Sequence, residues 1–247
     1  MFALEPWQWS LAAFGAFSIG MAKTGFGGLG MIGILVMAWL LPPRDSTGVI
    51  LPMLIMADLF GVHAFQRHTQ WSHVLRLLPA AVVGVVAGWW FMGQMDNASF
   101  GRVIGAVLLV MSGLGLWRVL KRTEVVLVVP RWFGPIMGFV AGVATMLANA
   151  AGAVVTLYLL VCRLPKYEFV GTAAWFFFIV NLFKIPFSAS LGLVTWETLG
   201  FNLMLFPAIA LGAFSGKRLI AKLPQRLFEG LMLVFTILGA IKLLFWP

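Results

Sequence analysis

The sequence predicts an all-α polytopic membrane protein. It has about ten hydrophobic helical segments in two inverted-topology repeats, each opening with a short helical hairpin whose tip lies within the membrane. Three observations carry this expectation. The 247 residues are 62% hydrophobic and 10% charged, with a mean hydropathy of +1.00, whereas a water-soluble domain carries roughly 25% charged residues. Apolar runs follow one another along the whole chain and leave no polar stretch of domain length. Proline, glycine and polar landmarks of the first half return in the second at fixed spacing. A soluble globule and a disordered chain are both excluded by this composition.

The segments fall at 7–22, 29–41, 47–65, 74–94, 100–118, 132–148, 150–162, 169–190, 198–216 and 227–246. Six reach, or nearly reach, the ~30 Å hydrocarbon thickness. Four are short and come in pairs. Segments 7–22 and 29–41 are joined by Lys23-Thr24-Gly25-Phe26-Gly27-Gly28, and segments 132–148 and 150–162 are joined around Asn149. A pair of this kind reads as a hairpin that turns inside the bilayer. Non-helical backbone survives there only when it is buried in protein or lines a wet cavity. Close helix packing through small residues is the competing explanation of Gly25, Gly27, Gly28 and Gly30.

Internal likeness divides the chain into an N-terminal repeat (1–120), a linker (121–131) and a C-terminal repeat (132–247). Pro42, Gly48 and Asp58-Leu59-Phe60 correspond to Pro165, Gly171 and Asn181-Leu182-Phe183, and Pro79, Gly84, Gly88 and Phe100 to Pro207, Gly212, Gly216 and Phe228. Each half holds five segments, or three if the hairpins do not cross. Either odd number inserts the second half upside down. Repeats of that kind are a signature of transporters.

Net charge is +9. The positive charge is gathered in alternate loops: Arg67, Arg76, Arg118, Lys121, Arg122, Arg131, Arg163, Lys166, Lys217, Arg218, Lys222 and Arg226 fall on one side, Arg44 and Arg102 on the other. The positive-inside rule assigns the first set to the cytoplasm and both termini to the outside, periplasmic face of an inner membrane. Orientation in a membrane thus explains the basicity, and no nucleic-acid partner is implied. A helix face such as Gly84-x-x-x-Gly88 permits a homodimer.

Within the apolar segments the ionisable residues are Lys23, Asp58, Lys184 and Lys242. A charge at mid-bilayer costs about 2.5–3.5 kcal/mol on insertion scales, so each is a functional candidate. Lys242 sits near the chain end and snorkels. Lys184 lies one helical turn from Asn181. Asp58 has three open readings: a proton or cation carrier, a helix–helix hydrogen bonder, or a partner for Lys23. Lys23 with the N–H groups of Thr24, Gly25, Gly27 and Gly28 makes an anion site at the first tip, helped by the positive end of the next helix. The second tip offers Thr145 and Asn149, with Thr172 and Trp175 following. Asn149 also fits as the N-cap of the following helix. A small anion with several acceptor oxygens suits such a set, between the two tips near the midplane.

Nothing in the sequence forms a catalytic set: HExxH, G-x-S-x-G and Walker A motifs are missing. His63, His68 and His73, spaced by five, do not share a helix face, and Cys162 is the single cysteine. The expectation is a non-enzyme without metal or cofactor.

The stretches Ile19-Gly20-Met21-Ala22-Lys23-Thr24-Gly25-Phe26-Gly27-Gly28, Leu51-Pro52-Met53-Leu54-Ile55-Met56-Ala57-Asp58 and Leu77-Leu78-Pro79 resemble the sulfite exporter TauE/SafE family of membrane permeases. So do Met146-Leu147-Ala148-Asn149-Ala150-Ala151-Gly152, Val170-Gly171-Thr172-Ala173-Ala174-Trp175-Phe176-Phe177 and Val180-Asn181-Leu182-Phe183-Lys184-Ile185-Pro186. The resemblance covers nearly the whole chain. It departs at Gly152-Ala153, where Gly-Pro is expected. The resemblance implies a permease exporting sulfite, sulfonates or related organic anions; the missing nucleotide-binding motif leaves a proton or substrate gradient as the driving force. An uncoupled anion channel and a non-transporting membrane subunit are the alternatives.

Overall fold

The structure is a computed structural model that describes residues 4–25, 29–41, 43–92 and 130–245. The described residues form nine α-helices: α1 (Pro6–Thr24), α2 (Gly30–Leu40), α3 (Pro43–Phe65), α4 (Trp71–Phe91), α5 (Phe133–Ala148), α6 (Ala151–Val161), α7 (Lys166–Ser190), α8 (Trp196–Lys222) and α9 (Gln225–Phe245). Local chemistry explains several boundaries. Glu5 and Gln8 form a capping box ahead of α1, with Pro6 in the first turn, where its missing N–H costs nothing. Thr195 and Thr198 exchange side chain–backbone bonds of 3.0 and 3.3 Å at the start of α8.

The expected arrangement of about ten hydrophobic segments in two inverted repeats, each opening with a hairpin, is not what the described residues show. Among the described residues, four helical stretches are long and apolar enough to cross a membrane: Ser46–His68, Trp71–Phe91, Lys166–Ser190 and Trp196–Lys222. Phe133–Leu147 and Ala151–Val161 are shorter apolar helices. The segment read at 100–118 lies outside the described residues. The physical reason for the overcount is plain. An apolar run of 11 residues, as in α2 and α6, rises only about 16 Å, half the bilayer core. Hydropathy scores that run the same way whether it faces lipid or protein. In α1, Gln8, Ser10, Ser18 and Lys23 dilute the apolar character of a helix that is otherwise long enough. Without the count, the parity argument for inverted insertion has no footing, and the arrangement supplies no evidence of a repeat.

Two compact units divide the chain. The first takes Met1–Thr69 and Val170–Lys222, the second Gln70–Phe169 and Leu223–Pro247. In the first, α1 packs against α2, α3 and α8, and α3 also packs against α8. Its core includes Ala12, Ala16, Ile19, Met37, Val49, Ile50, Met53, Ala57, Phe201, Leu205 and Ile209. The α1–α8 contact is a backbone-to-backbone approach. A Cβ added at Gly20 would collide with the Ile209 carbonyl, one at Gly212 with the Phe17 carbonyl, and one at Gly25 would lie 2.7 Å from the Gly216 carbonyl oxygen. This is small-residue packing of membrane helices. Asn202 ties α8 to α3, its Nδ2 donating to the Val49 carbonyl at 2.9 Å and to the Thr198 carbonyl at 2.7 Å. The Val49 bond lies just ahead of Pro52, a proline inside α3.

In the second unit α4 packs on α5 in the same manner. Gly84 faces the Phe139 carbonyl, Gly138 the Leu77 carbonyl and Gly142 the Ala81 carbonyl. The Gly84-x-x-x-Gly88 face read as a dimer surface is therefore occupied within the chain. Asn149 closes α5 in the left-handed region, at φ 51° and ψ 27°. Its N–H bonds the Thr145 carbonyl at 3.1 Å and the Ala150 N–H bonds the Ala144 carbonyl at 3.1 Å. Asparagine is one of the few residues that tolerates this conformation. It caps the helix before it, and Ala150 stands at the N-cap of the helix after it. At Gly152, in the first turn of α6, an added Cβ meets nothing within 4 Å. We expect Gly152→Ala to hold or raise thermal stability, by at most about 1 kcal/mol from helix propensity; chemical denaturation in detergent measures it.

Candidate functional site

Four polar side chains converge in the first unit. Lys23 lies in the last turn of α1, Asp58 in the middle of α3, and Asn181 and Lys184 one turn apart on α7. The Lys23 Nζ stands 2.8 Å from Asp58 Oδ1, with the lysine side chain 11% exposed and the aspartate fully buried. Asn181 Nδ2 donates to Asp58 Oδ2 at 2.7 Å. Lys184 is 1% exposed. Beyond Asp58, the Lys23 ammonium rests over the Phe177 ring, 4.1 Å from its centroid. That cation–π contact strengthens when water is excluded.

Helix geometry explains why these residues meet. On α7, Ala174, Phe177, Asn181 and Lys184 follow at intervals of three and four, which places them on one face. On α3, Gly61 lies one turn beyond Asp58. A Cβ there would be 2.7 Å from the Lys23 carbonyl oxygen and 3.1 Å from Ala174 Cβ. The absent side chain lets the end of α1 come near α3 and α7, within reach of the carboxylate.

The other sequence candidates divide. Thr24 is 1% exposed, and its hydroxyl donates to the Ala213 carbonyl at 2.7 Å. That one proton is committed to joining α1 and α8, so Thr24 presents no donor to a ligand. Gly25 packs against Gly216 of α8. Gly27 and Gly28 lie outside the described residues, and the side chain of Lys242 is likewise outside them. Thr172 is fully buried but precedes Asn181 by nine residues, about 14 Å along the helix and half a turn around it. Trp175 pairs with Phe178, ring centroids 6.1 Å apart, on a different face from Asn181. Thr145 and Asn149 are buried in the second unit.

Of the three readings of Asp58, two are now geometry: it is the ion partner of Lys23 and a hydrogen-bonded link between helices. Lys184 is buried in protein. Phe177 and Gly61 were missed by the sequence reading. The three-and-four spacing of Phe177 with Asn181 and Lys184 was the available signal for the first; a single glycine in an apolar helix gives none for the second.

A charged cluster buried in a chain with membrane-length helices is costly unless used, and a match to known permeases decides what kind of protein holds it. Residues 11–243 match the family model described as sulfite exporter TauE/SafE. The chain belongs to this family. TauE/SafE members are non-catalytic permeases, so this TauE/SafE protein is a permease and not an enzyme. Membership and the four long apolar helices support a multi-pass membrane protein with a general secondary anion-transport function. No curated protein and no solved structure matches the chain.

Proposed function

We propose that this TauE/SafE permease carries small sulfur-containing or organic anions, such as sulfite and sulfonates, and that the anion binds at Lys23 and Lys184. One observation carries the reading. Among the described residues, Lys23, Asp58, Asn181 and the buried Lys184 come together inside the first unit, with Lys23 at 2.8 Å from the carboxylate. Ionisable groups in apolar helices of a membrane protein mark a substrate or ion pathway. Lysine ammonium groups suit the oxygens of an anion. Arriving substrate competes with Asp58 for Lys23, and a proton taken up by Asp58 releases that lysine, which is a route for coupling to a proton gradient.

The four long helices also support an orientation in the plasma membrane. Arg67 and Arg76 flank the junction of the first two, Arg163 and Lys166 open the third, and Lys217, Arg218, Lys222 and Arg226 surround the end of the fourth. Glu197 stands at the opposite end of the fourth. The basic ends belong in the cytoplasm by the positive-inside rule.

The test is a thermal-shift screen of purified protein with sulfite, thiosulfate, sulfoacetate, taurine, sulfate and short carboxylates, with Lys23→Ala and Lys184→Met in parallel. At a hundredfold excess over Kd a bound anion stabilises by about 2.7 kcal/mol. We expect an anion that stabilises the wild type and neither variant. Equal stabilisation of all three proteins would move the site elsewhere.

A further inference from the structure

The cluster also shows what keeps the Lys23 ammonium in place, an inference that rests on the transport reading above. The backbone at Lys23 is fixed by close packing. A Cβ added to Gly61 of α3 would lie 2.7 Å from the Lys23 carbonyl oxygen and 3.1 Å from Ala174 Cβ of α7. From this anchored end of α1 the lysine extends a flexible four-carbon stem, which loses rotamer freedom when its tip is held. Two groups hold the tip. Asp58 Oδ1 stands 2.8 Å from Nζ, and the Phe177 ring lies beneath it, with its centroid 4.1 Å from Nζ. Phe177 is one turn beyond Ala174 on α7, so the helix that meets the lysine backbone also meets its ammonium.

The two groups differ in kind. Asp58 neutralises the ammonium. The ring attracts it through its quadrupole and leaves its charge whole. An anion arriving at Lys23 therefore competes with the carboxylate but not with the ring. They also differ in access. Asp58 is sealed in protein, whereas Phe177 and the Lys23 side chain keep part of their surface open.

From these we infer that Phe177 is a positioning residue for transport: its ring holds the Lys23 ammonium while the lysine's anionic partner changes from Asp58 to the substrate. A neutral aromatic face suits this role. A second carboxylate in its place would neutralise the lysine and repel the anion. An aliphatic side chain would leave the stem free to swing once Asp58 is displaced. The ring counts most after that displacement, so its loss raises the half-saturation concentration and leaves the maximal rate unchanged.

Saturation of sulfite uptake into proteoliposomes tests this, using the full-length chain with mono-, di- or trifluorinated phenylalanine installed at position 177 by stop-codon suppression. Fluorine withdraws electron density from the ring face and changes ring size little. It weakens a cation–π contact and leaves packing almost unaltered. We expect half-saturation to climb with each added fluorine, about fivefold over the series, the scale of one such contact, at constant maximal rate. Phe177→Leu should reach at least the trifluorinated value, and Phe177→Tyr should stay near the wild type. Unchanged half-saturation across the series, with saturable uptake intact, would overturn the positioning role and leave the anion reading standing. A falling maximal rate at constant half-saturation would overturn it as well. Absence of saturable uptake by the wild type would overturn the inference together with the reading beneath it. The fluorinated chains decide without Phe177→Leu, so poor folding of that variant does not protect the proposal.

Discussion

Replacing Asp58 with alanine is expected to lower stability by about 3–5 kcal/mol and to make the protein more responsive to anions. The carboxylate is fully buried between the Lys23 ammonium at 2.8 Å and the Asn181 amide at 2.7 Å. Its removal leaves the Lys23 ammonium, 11% exposed, without its carboxylate, one helix away from the buried Lys184. Like charges repel in a low-dielectric place, and an orphaned buried charge costs more than the pair contributed. A monoanion added to the variant takes the position of the lost carboxylate. Its melting temperature should therefore start well below that of the wild type and rise more steeply with anion concentration. Intrinsic tryptophan fluorescence during heating, with and without ligand, measures both effects. Wild-type stability in Asp58→Ala would mean that the pair does not neutralise a buried charge.

The second large effect concerns the α1–α8 contact. Gly212→Leu should prevent the native fold or destabilise it by more than the 1–3 kcal/mol typical of overpacking. A Cβ alone would strike the Phe17 carbonyl, and Gly20, Gly216 and Gly25 bring backbone within 2.1, 2.5 and 2.7 Å of an added Cβ at the same interface. Backbone cannot move aside as a flexible side chain does. Gly200→Leu in the same helix is the control, because an added Cβ there meets nothing within 4 Å. Size-exclusion profiles in detergent should show aggregation or low yield for Gly212→Leu and a normal peak for Gly200→Leu. Matching profiles would contradict the packing.

Lys23, Asp58 and Lys184 were legible in the sequence because a charge in an apolar run is expensive wherever the run is placed. Asn181 was legible because three residues along a helix make one turn. The destination of the Thr24 hydroxyl was not, since Ala213 lies 189 residues away and a hydroxyl accepts any local geometry. Asn149 was readable as a cap, but whether of the preceding or the following helix depends on one φ angle. The number of crossings was illegible for a different reason. Residues of α2 and α6 are as apolar as lipid-facing ones because α6, at least, is enclosed by protein: Val154, Val155, Leu157, Tyr158 and Leu159 are all buried. Apolar runs report burial, and only length separates a core helix from a span.

The central claim is that a permease moves an anion by way of Lys23 and Lys184. Uptake of radiolabelled sulfite into proteoliposomes tests it most directly, comparing wild type, Lys23→Met and Lys184→Met at matched reconstitution, with each protein's fold confirmed by its elution profile. The account predicts saturable uptake by the wild type and at least a tenfold loss in each variant, the scale of one lost charge-assisted contact. Saturable uptake at the wild-type rate by both folded variants would contradict it.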